Sequence, residues 1–337
     1  MKFDVVVGNP PYQEENKDTT DKAIYNNFYD LAKGVSSRYC LITPARFLFN
    51  AGSTDKKWNA EMLSDDKLKV SFYEADSTKV FPNTDIQGGV AILYRDENRP
   101  LGPIGEFTKF PILNEIVKRV SKAHGFESIQ DMILLQHKFD LDALYEDFPS
   151  QKEKIGSDGK EKRLTTSIFS SVEAFTENRL SDSDIEVIGL IKNKRVIRYI
   201  PRKYLESHPN LKLWKVIVPR SNGSPNLGTI GEPVLGKPYS GHTQSFISLG
   251  RFDSELSAAN LLKYVKTRFA RALLGALKVT QHNPPSTWAK VPALDFGKNS
   301  LIDWNKSIED IDEQLFDRYE LSETERAFIR DKVKPME

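Results

Sequence analysis

Cysteine is almost absent from this sequence: Cys40 is the single one among 337 residues. That excludes an internal disulfide and a cysteine-rich zinc site, and it fits a reducing, cytoplasmic setting. Cys40 lies in the apolar run Tyr39-Cys40-Leu41-Ile42, which predicts a buried structural thiol. Long apolar runs are also missing; none approaches the ~20 residues that span a bilayer. The first residues carry an acid, Asp4, and no long apolar core, so they do not form a secretory signal. Excess charge of either sign is lacking too. Lys plus Arg total 48 and Asp plus Glu 47, a formal net charge of +1, so binding to nucleic acid has to rest on local patches. There is no internal repeat. His242 and His282 stand alone in sequence and read as surface or satisfied structural residues. Asp182, Asp184 and Glu186 lack the spacing of a metal-dependent nuclease. What remains is ordinary globular composition, 39% hydrophobic and 28% charged, with room for two domains.

The chain opens with a β-branched run, Val5-Val6-Val7, stopped at Gly8, the pattern of a buried parallel strand. A polar loop is expected from Gln13 to about Thr20. Ile24, Phe28 and Leu31 then recur at helical spacing and predict an amphipathic helix ending at Gly34. A strand follows over Arg38 to Thr43, a helix around Lys57 to Leu63, and strands over Leu68 to Tyr73 and Val90 to Tyr94. The order strand, helix, strand, helix, strand, strand predicts the second half of a doubly wound α/β sheet finished by a hairpin. Pro100, Gly102, Pro103 and Gly105 mark a boundary, and Ser150 to Arg163 is a charged excursion. Short apolar runs between Ser170 and Ser248 predict several strands, Ser257 to Lys278 one helix, and the tail a helical segment starting at Ser322-Glu323-Thr324-Glu325.

The chemistry sits where the first strand ends, at Asn9-Pro10-Pro11-Tyr12. An exocyclic amine such as adenine N6 is a poor nucleophile because its lone pair is delocalised into the ring. Two acceptors fixed side by side can take both N–H hydrogens, favour a pyramidal nitrogen, and aim its lone pair at an electrophile without a general base. The Asn9 side-chain oxygen and the Pro10 carbonyl, in a turn stiffened by two prolines, are suited to that task. Tyr12 offers a flat face for a base lifted out of a duplex. The carboxyl end of a parallel strand is also where ligands bind in open α/β sheets.

Val5-Val6-Val7-Gly8-Asn9-Pro10-Pro11-Tyr12 resembles the catalytic motif of the amino-methyltransferases, specifically the DNA adenine-N6 branch of type II restriction–modification systems. Ile24-Tyr25-Asn26-Asn27-Phe28 resembles the helix after the motif, and Leu41 to Leu48 the next strand and turn. Val80-Phe81-Pro82 before Gly89 to Leu93 resembles the motif whose aromatic packs on the other face of the flipped base; the resemblance makes Phe81 the second stacking residue. The catalytic resemblance covers about residues 1–97, while Thr280-Gln281-His282 through Pro292, and Ile302-Asp303-Trp304, are similar to the ends of such enzymes. It implies S-adenosylmethionine as donor and double-stranded DNA as partner. Asn283-Pro284-Pro285-Ser286 is a near copy without a preceding buried strand or the aromatic, and reads as a helix stop and turn.

The usual donor site of such a fold is a strand, a glycine-rich turn and an acid on the next strand. Here the catalytic strand starts near residue 3. Gly88-Gly89, Gly156, Gly159 and Gly228-Thr229-Ile230-Gly231 do not supply the turn. The expectation is a chain holding the acceptor half alone, either as a split subunit with a separate donor-binding chain or as a truncated product. A restriction endonuclease is a further possible partner.

Recognition is expected downstream. Nine bases face one acid, Glu206, between Lys192 and Arg220. Lys192, Lys194, Arg195, Arg198, Arg202, Lys203, Lys215 and Arg220 from that run are candidate DNA contacts, with Tyr199, Tyr204 and Trp214 interleaved. On the 257–278 helix, Lys263, Lys266, Arg271 and Lys278 fall opposite the apolar face; Lys263 and Arg271 join the candidates. Eleven acids against six bases over 303–337 cancel this charge in the sum. The expected organisation is a catalytic half over 1–107, an α+β target-recognition domain over 108–300, and an acidic helical tail over 301–337. A non-catalytic recognition remnant, and methylation of a protein glutamine or an RNA base, are the competing readings.

Overall fold

The computed structural model describes residues 3–14, 22–49, 53–86, 88–105, 107–108, 110–155, 161–221, 226–278 and 282–336. The fold is mixed α/β and divides into two compact units, Met1–Asn114 and Glu115–Glu337.

The first unit contains β1 (Val6–Gly8), β2 (Gln13–Glu14), β3 (Lys22–Ala23), α1 (Tyr25–Val35), β4 (Arg38–Pro44), α2 (Lys56–Ser64), β5 (Leu68–Glu74) and β6 (Val90–Asp96). The main sheet has the order β1-β4-β6-β5. β1 runs parallel to β4, and β6 is antiparallel to both β4 and β5. β1, β4 and β5 therefore point the same way, and their carboxyl ends share one edge of the sheet. The main elements follow the sequence pattern, with β2 and β3 added between β1 and α1, but several details differ. The opening strand is not buried: Val5 is 47% and Val7 71% exposed. β1 is an edge strand with β4 on one side and no partner strand on the other among the described residues. Helix α1 is also turned by one residue. Its buried face is Tyr25, Tyr29 and Ala32, while Leu31 is 59% exposed. The tyrosines bring more apolar area, and the Tyr29 hydroxyl finds Thr43 Oγ1 at 2.8 Å inside the core. Cys40 is half-buried rather than buried.

α3 (Pro111–Lys122) leads into the second unit, followed by β7 (Ile133–Leu134), three short helices α4 (Leu141–Asp147), α5 (Gln151–Lys154) and α6 (Ile168–Ser171), then β8 (Asp184–Ile191) and β9 (Lys194–Pro201). Next come β10 (Trp214–Pro219), β11 (Val234–Gly236), β12 (Ser240–His242) and β13 (Phe246–Phe252). They form two sheets, β11-β10-β13-β7 and β12-β8-β9. The expected single helix over 257–278 is two: α7 (Glu255–Lys266) and α8 (Arg268–Leu277). Thr267 is extended, with ψ 147°. Its hydroxyl donates to the Tyr264 carbonyl at 2.7 Å and accepts from Ala270 N–H at 3.1 Å, so one side chain stops α7 and caps α8. The acidic tail forms α9 (Ile308–Arg318) and α10 (Glu323–Lys332) within the second unit. Tyr319 stacks on Phe269 at 5.0 Å, and buried Asp312 accepts from the N–H groups of Arg268 and Phe269 at 2.9 and 2.8 Å. Ser322 and Glu325 form the expected capping box.

Candidate active site and nucleic-acid interface

Asn9-Pro10-Pro11-Tyr12 leaves the carboxyl end of β1 directly. The ladder to β4 runs through Gly8 opposite Leu41, and Pro10, with no N–H, cannot continue it. Asn9 and Pro11 are exposed; Pro10 and Tyr12 are half-buried. The chain is then recaptured. Ile24 N–H donates to the Tyr12 carbonyl at 3.1 Å, and Gln13–Glu14 pair with Lys22–Ala23. The loop expected from Gln13 to about Thr20 begins instead as strand β2, because Gln13 and Glu14 pair with Ala23 and Lys22; the rest of it lies outside the described residues. The Tyr12 hydroxyl is enclosed, with the Asn9 side chain as its neighbour. Burial pushes this phenol above its ordinary pKa, with the nearby Asn9 side chain opposing the shift weakly. Tyr12 therefore stays neutral at physiological pH and presents a ring rather than a base.

An aromatic cluster fills the core of the same unit. Trp58 on α2 lies 5.2 Å from Phe47, 5.9 Å from Tyr29 and 6.4 Å from Tyr25. Burial raises the Tyr25 pKa, opposed by Thr54 and by the Arg46 guanidinium, and raises that of Tyr29 well above the ordinary value. Arg46, just past β4, faces the turn before β6, where a Cβ on Gly88 would stand 3.0 Å from its Cγ.

Phe81 lies in the loop after β5. Its N–H donates to the Ser77 carbonyl at 2.8 Å, and the Ser77 hydroxyl ties Thr84 O and Ile86 N at 2.8 Å each. It follows a strand three positions from β1 in the sheet, one whose carboxyl end lies at the same edge. No ring contact joins Phe81 to Tyr12 among the described residues.

The candidate DNA contacts divide sharply. Lys215 is fully buried, its ammonium donating to the carbonyls of Asn210 and Leu213 at 2.8 and 3.1 Å, and desolvation lowers its pKa to about 7. Arg271 is 3% exposed and donates to the carbonyls of Lys266, Thr267, Gly228 and Lys334. Lys263 donates to the carbonyls of Trp304 and Lys306. Lys215 and Arg271 are structural cations, which corrects their assignment to a DNA surface; Lys263 is half-buried and bound to the tail's carbonyls. Arg198 pairs with Glu177 at 2.6 Å and Lys203 with Asp147 at 2.5 Å. Arg195 donates to the Glu232 carbonyl and lies over the Phe246 ring. Arg202 lies over the exposed Tyr239 ring. Lys192, Lys194 and Arg220 carry no ion pair among the described residues.

Sequence reasoning missed a histidine cluster. His137 stacks on His208 at 3.9 Å and meets His242 edge-on at 5.9 Å, near Lys215. The residues lie far apart in sequence, so no local signal joins them. Desolvation lowers the pKa of all three, that of His242 to about 4. Neither ring nitrogen of His137 has a hydrogen-bond partner among the described residues. Asn283, in the second Asn-Pro-Pro segment, is buried and precedes a one-turn helix over Pro285–Trp288, so that segment starts a turn of helix; Thr280 and Gln281 lie outside the described residues.

Among the described residues no strand passes through a tight glycine-rich turn into a helix, and no group of His, Cys, Asp and Glu could hold a metal ion. No described helix is long and apolar enough to cross a membrane.

Residues 1–81 match the sequence profile of the Eco57I restriction-modification methylase family. A protein described as an uncharacterized adenine-specific methylase of Mycoplasma pneumoniae is 31% identical over 103 residues, 29% of this chain and 24% of that relative. The chain thus matches about a quarter of that relative's length. A similar solved structure is that of the Type IIL restriction-modification enzyme MmeI in complex with DNA, at TM-score 0.38 and 10% identity over 98% of this chain and 56% of that one. Residues 1–81 of this chain are thus similar to the Eco57I restriction-modification methylases, and part of the chain is similar to a protein described as an adenine-specific methylase.

Proposed function

We propose that this chain is the acceptor-side component of a site-specific DNA adenine-N6 methyltransferase of a restriction–modification system. The observation that carries the reading is the placement of Asn9-Pro10-Pro11-Tyr12 at the carboxyl end of the parallel β1–β4 pair, inside the segment that matches the methylase family. Asn9 Oδ1 and the Pro10 carbonyl accept the two N6 hydrogens of a flipped adenine, and the neutral Tyr12 ring stacks on the base. Phe81 forms the opposite wall once its loop closes across the edge. Residues 108–300, most of which lie in the second unit, select the DNA sequence.

S-adenosylmethionine supplies the electrophilic methyl group in such enzymes. The described residues offer no glycine cradle for it, so its binding is assigned to a separate segment or chain. The open edge of β1, with Val5 and Val7 exposed, is the surface that segment covers. The test is expression, together with a donor-binding segment, in a host without adenine methylation. N6-methyladenine in digested host DNA, measured by mass spectrometry, is expected; unmodified DNA with both components soluble and associated counts against the reading. The separation of Phe81 from Tyr12 favours one alternative, a non-catalytic recognition remnant, and that same result would select it.

A further inference from the structure

The second unit holds an open cleft of about 800 Å³ where the ends of its two sheets meet. Leu190, Pro219 and Phe246 give it an apolar floor. Polar groups enter from three turns: Asn193 and Arg195 from the β8–β9 hairpin, Arg220 after β10, and Gln244 before β13. Glu232 is the one carboxylate lining the cleft among the described residues, and Lys266 neutralises it at 2.6 Å.

Arg220 is the distinctive group. Its backbone is clamped on both sides: its N–H donates to the Ser245 carbonyl at 2.8 Å, and its carbonyl accepts from Asn283 N–H at 2.7 Å. Its guanidinium, half-buried, has no ion pair or side-chain hydrogen bond among the described residues. A fixed stem with an uncommitted planar fork has already met much of the ordering cost of binding. Gln244 is similarly poised. Its amide nitrogen makes only a long contact, 3.5 Å, to Thr166 Oγ1, which is itself tied to Ser245 Oγ at 2.9 Å. Lys192 and Lys194 flank the cleft at the hairpin tip, exposed and without ion pairs among the described residues. Arg195 cannot serve in the same way, because it is spent on the Glu232 carbonyl and the Phe246 ring.

We infer that this cleft reads base edges of duplex DNA, with Arg220 and Gln244 as the specificity-determining side chains and Lys192 and Lys194 as phosphate contacts. The inference rests on the DNA-recognition reading above and assigns the roles within it. An Arg fork matches the O6 and N7 acceptors of guanine, and a Gln amide matches N7 and N6 of adenine; a two-stranded hairpin fits the major groove. Uncommitted cations outside the cleft suit a polyanion that continues past it rather than a small anion held inside.

The experiment is selection of the full chain against a randomised duplex pool, followed by anisotropy titrations at two salt concentrations. The expected wild type binds with a steep salt dependence and prefers a sequence. Arg220→Ala and Arg220→Lys lose about 5- to 150-fold discrimination at one base pair, the lysine variant keeping most of its affinity for unrelated DNA. Lys194→Ala weakens all sequences alike and lowers the salt slope by about one. Thermal melting establishes that each variant is folded. If the wild type selects a sequence and both Arg220 variants keep the same preference, the cleft assignment is overturned while the DNA reading stands. Salt-dependent binding without sequence preference overturns it as well. If the wild type does not bind duplex DNA at all, the DNA reading itself fails, and this inference with it.

Discussion

His242 makes the second unit sensitive to mild acid. Its ring is fully buried, Nδ1 lies 3.0 Å from the Thr243 carbonyl, and Nε2 has no partner. Desolvation lowers its pKa from 6.5 to about 4, with His208 and Lys215 adding repulsion. The unfolded chain therefore binds a proton on this ring below pH 6.5 while the folded chain refuses it until about pH 4. Stability from this group is complete above pH 6.5 and is lost as pH falls through that window. Between pH 7.5 and 5.0 the linkage relation gives a loss of about 2 kcal/mol. Asp312, which burial raises to about 6, works in the opposite sense below pH 6. The comparison must therefore be between wild type and His242→Asn, in which the Asp312 contribution is common. Urea denaturation of both proteins at the two pH values, followed by tryptophan fluorescence, is the assay. The variant is expected to be less stable at pH 7.5 through lost packing, yet to lose about 2 kcal/mol less than wild type on acidification. An equal loss in both proteins would refute the desolvation argument.

Two further perturbations probe the first unit. Gly89 has φ +76°, and a Cβ there would stand 2.2 Å from the Glu74 carbonyl oxygen. Gly89→Ala should destabilise the first unit by about 3 kcal/mol or more, seen as a lower melting temperature, since backbone would have to move at both strand ends. Val7→Lys should change the stability of the chain itself by less than about 0.5 kcal/mol, because Val7 is 71% exposed. The same substitution should weaken association with a donor-binding segment about tenfold in a titration, as a valine burial is replaced by a charge; unchanged association would remove β1 as the docking edge.

Much of the first unit was legible because its signals are local. The β-branched run, the helical spacing of α1, Pro44 and the glycines before β6 fix elements within a few residues of themselves. The buried face of α1 was not legible from apolar spacing alone, because the Tyr29 hydroxyl needed to find Thr43, 14 residues away. The break at Thr267 was hidden because a threonine in an apolar helical pattern does not announce a cap, and the Asp312 carboxylate that takes the next two N–H groups comes from the tail, over 40 residues away. The motif Asn9-Pro10-Pro11-Tyr12 was legible as chemistry, since proline stiffness and an amide oxygen are properties of the residues themselves. The DNA surface was over-read. A run of cations in sequence does not reveal which of them fold inward, as Lys215 and Arg271 do to donate to backbone carbonyls. Gln244 carried no local signal at all, and joins Arg220 only through the Ser245 hydrogen bond between β10 and β13.

The central claim is that Asn9 holds the reacting amine without a general base. The most direct measurement is the single-turnover rate of methyl transfer to duplex DNA for Asn9→Ala against wild type, with the donor-binding segment present and DNA saturating. The predicted result is a fall of at least about a hundredfold, the scale of removing one preorganised polar partner from a transition state, with DNA affinity nearly unchanged because Asn9 is exposed and outside the unit proposed to recognise DNA. A rate within a few-fold of wild type would contradict it.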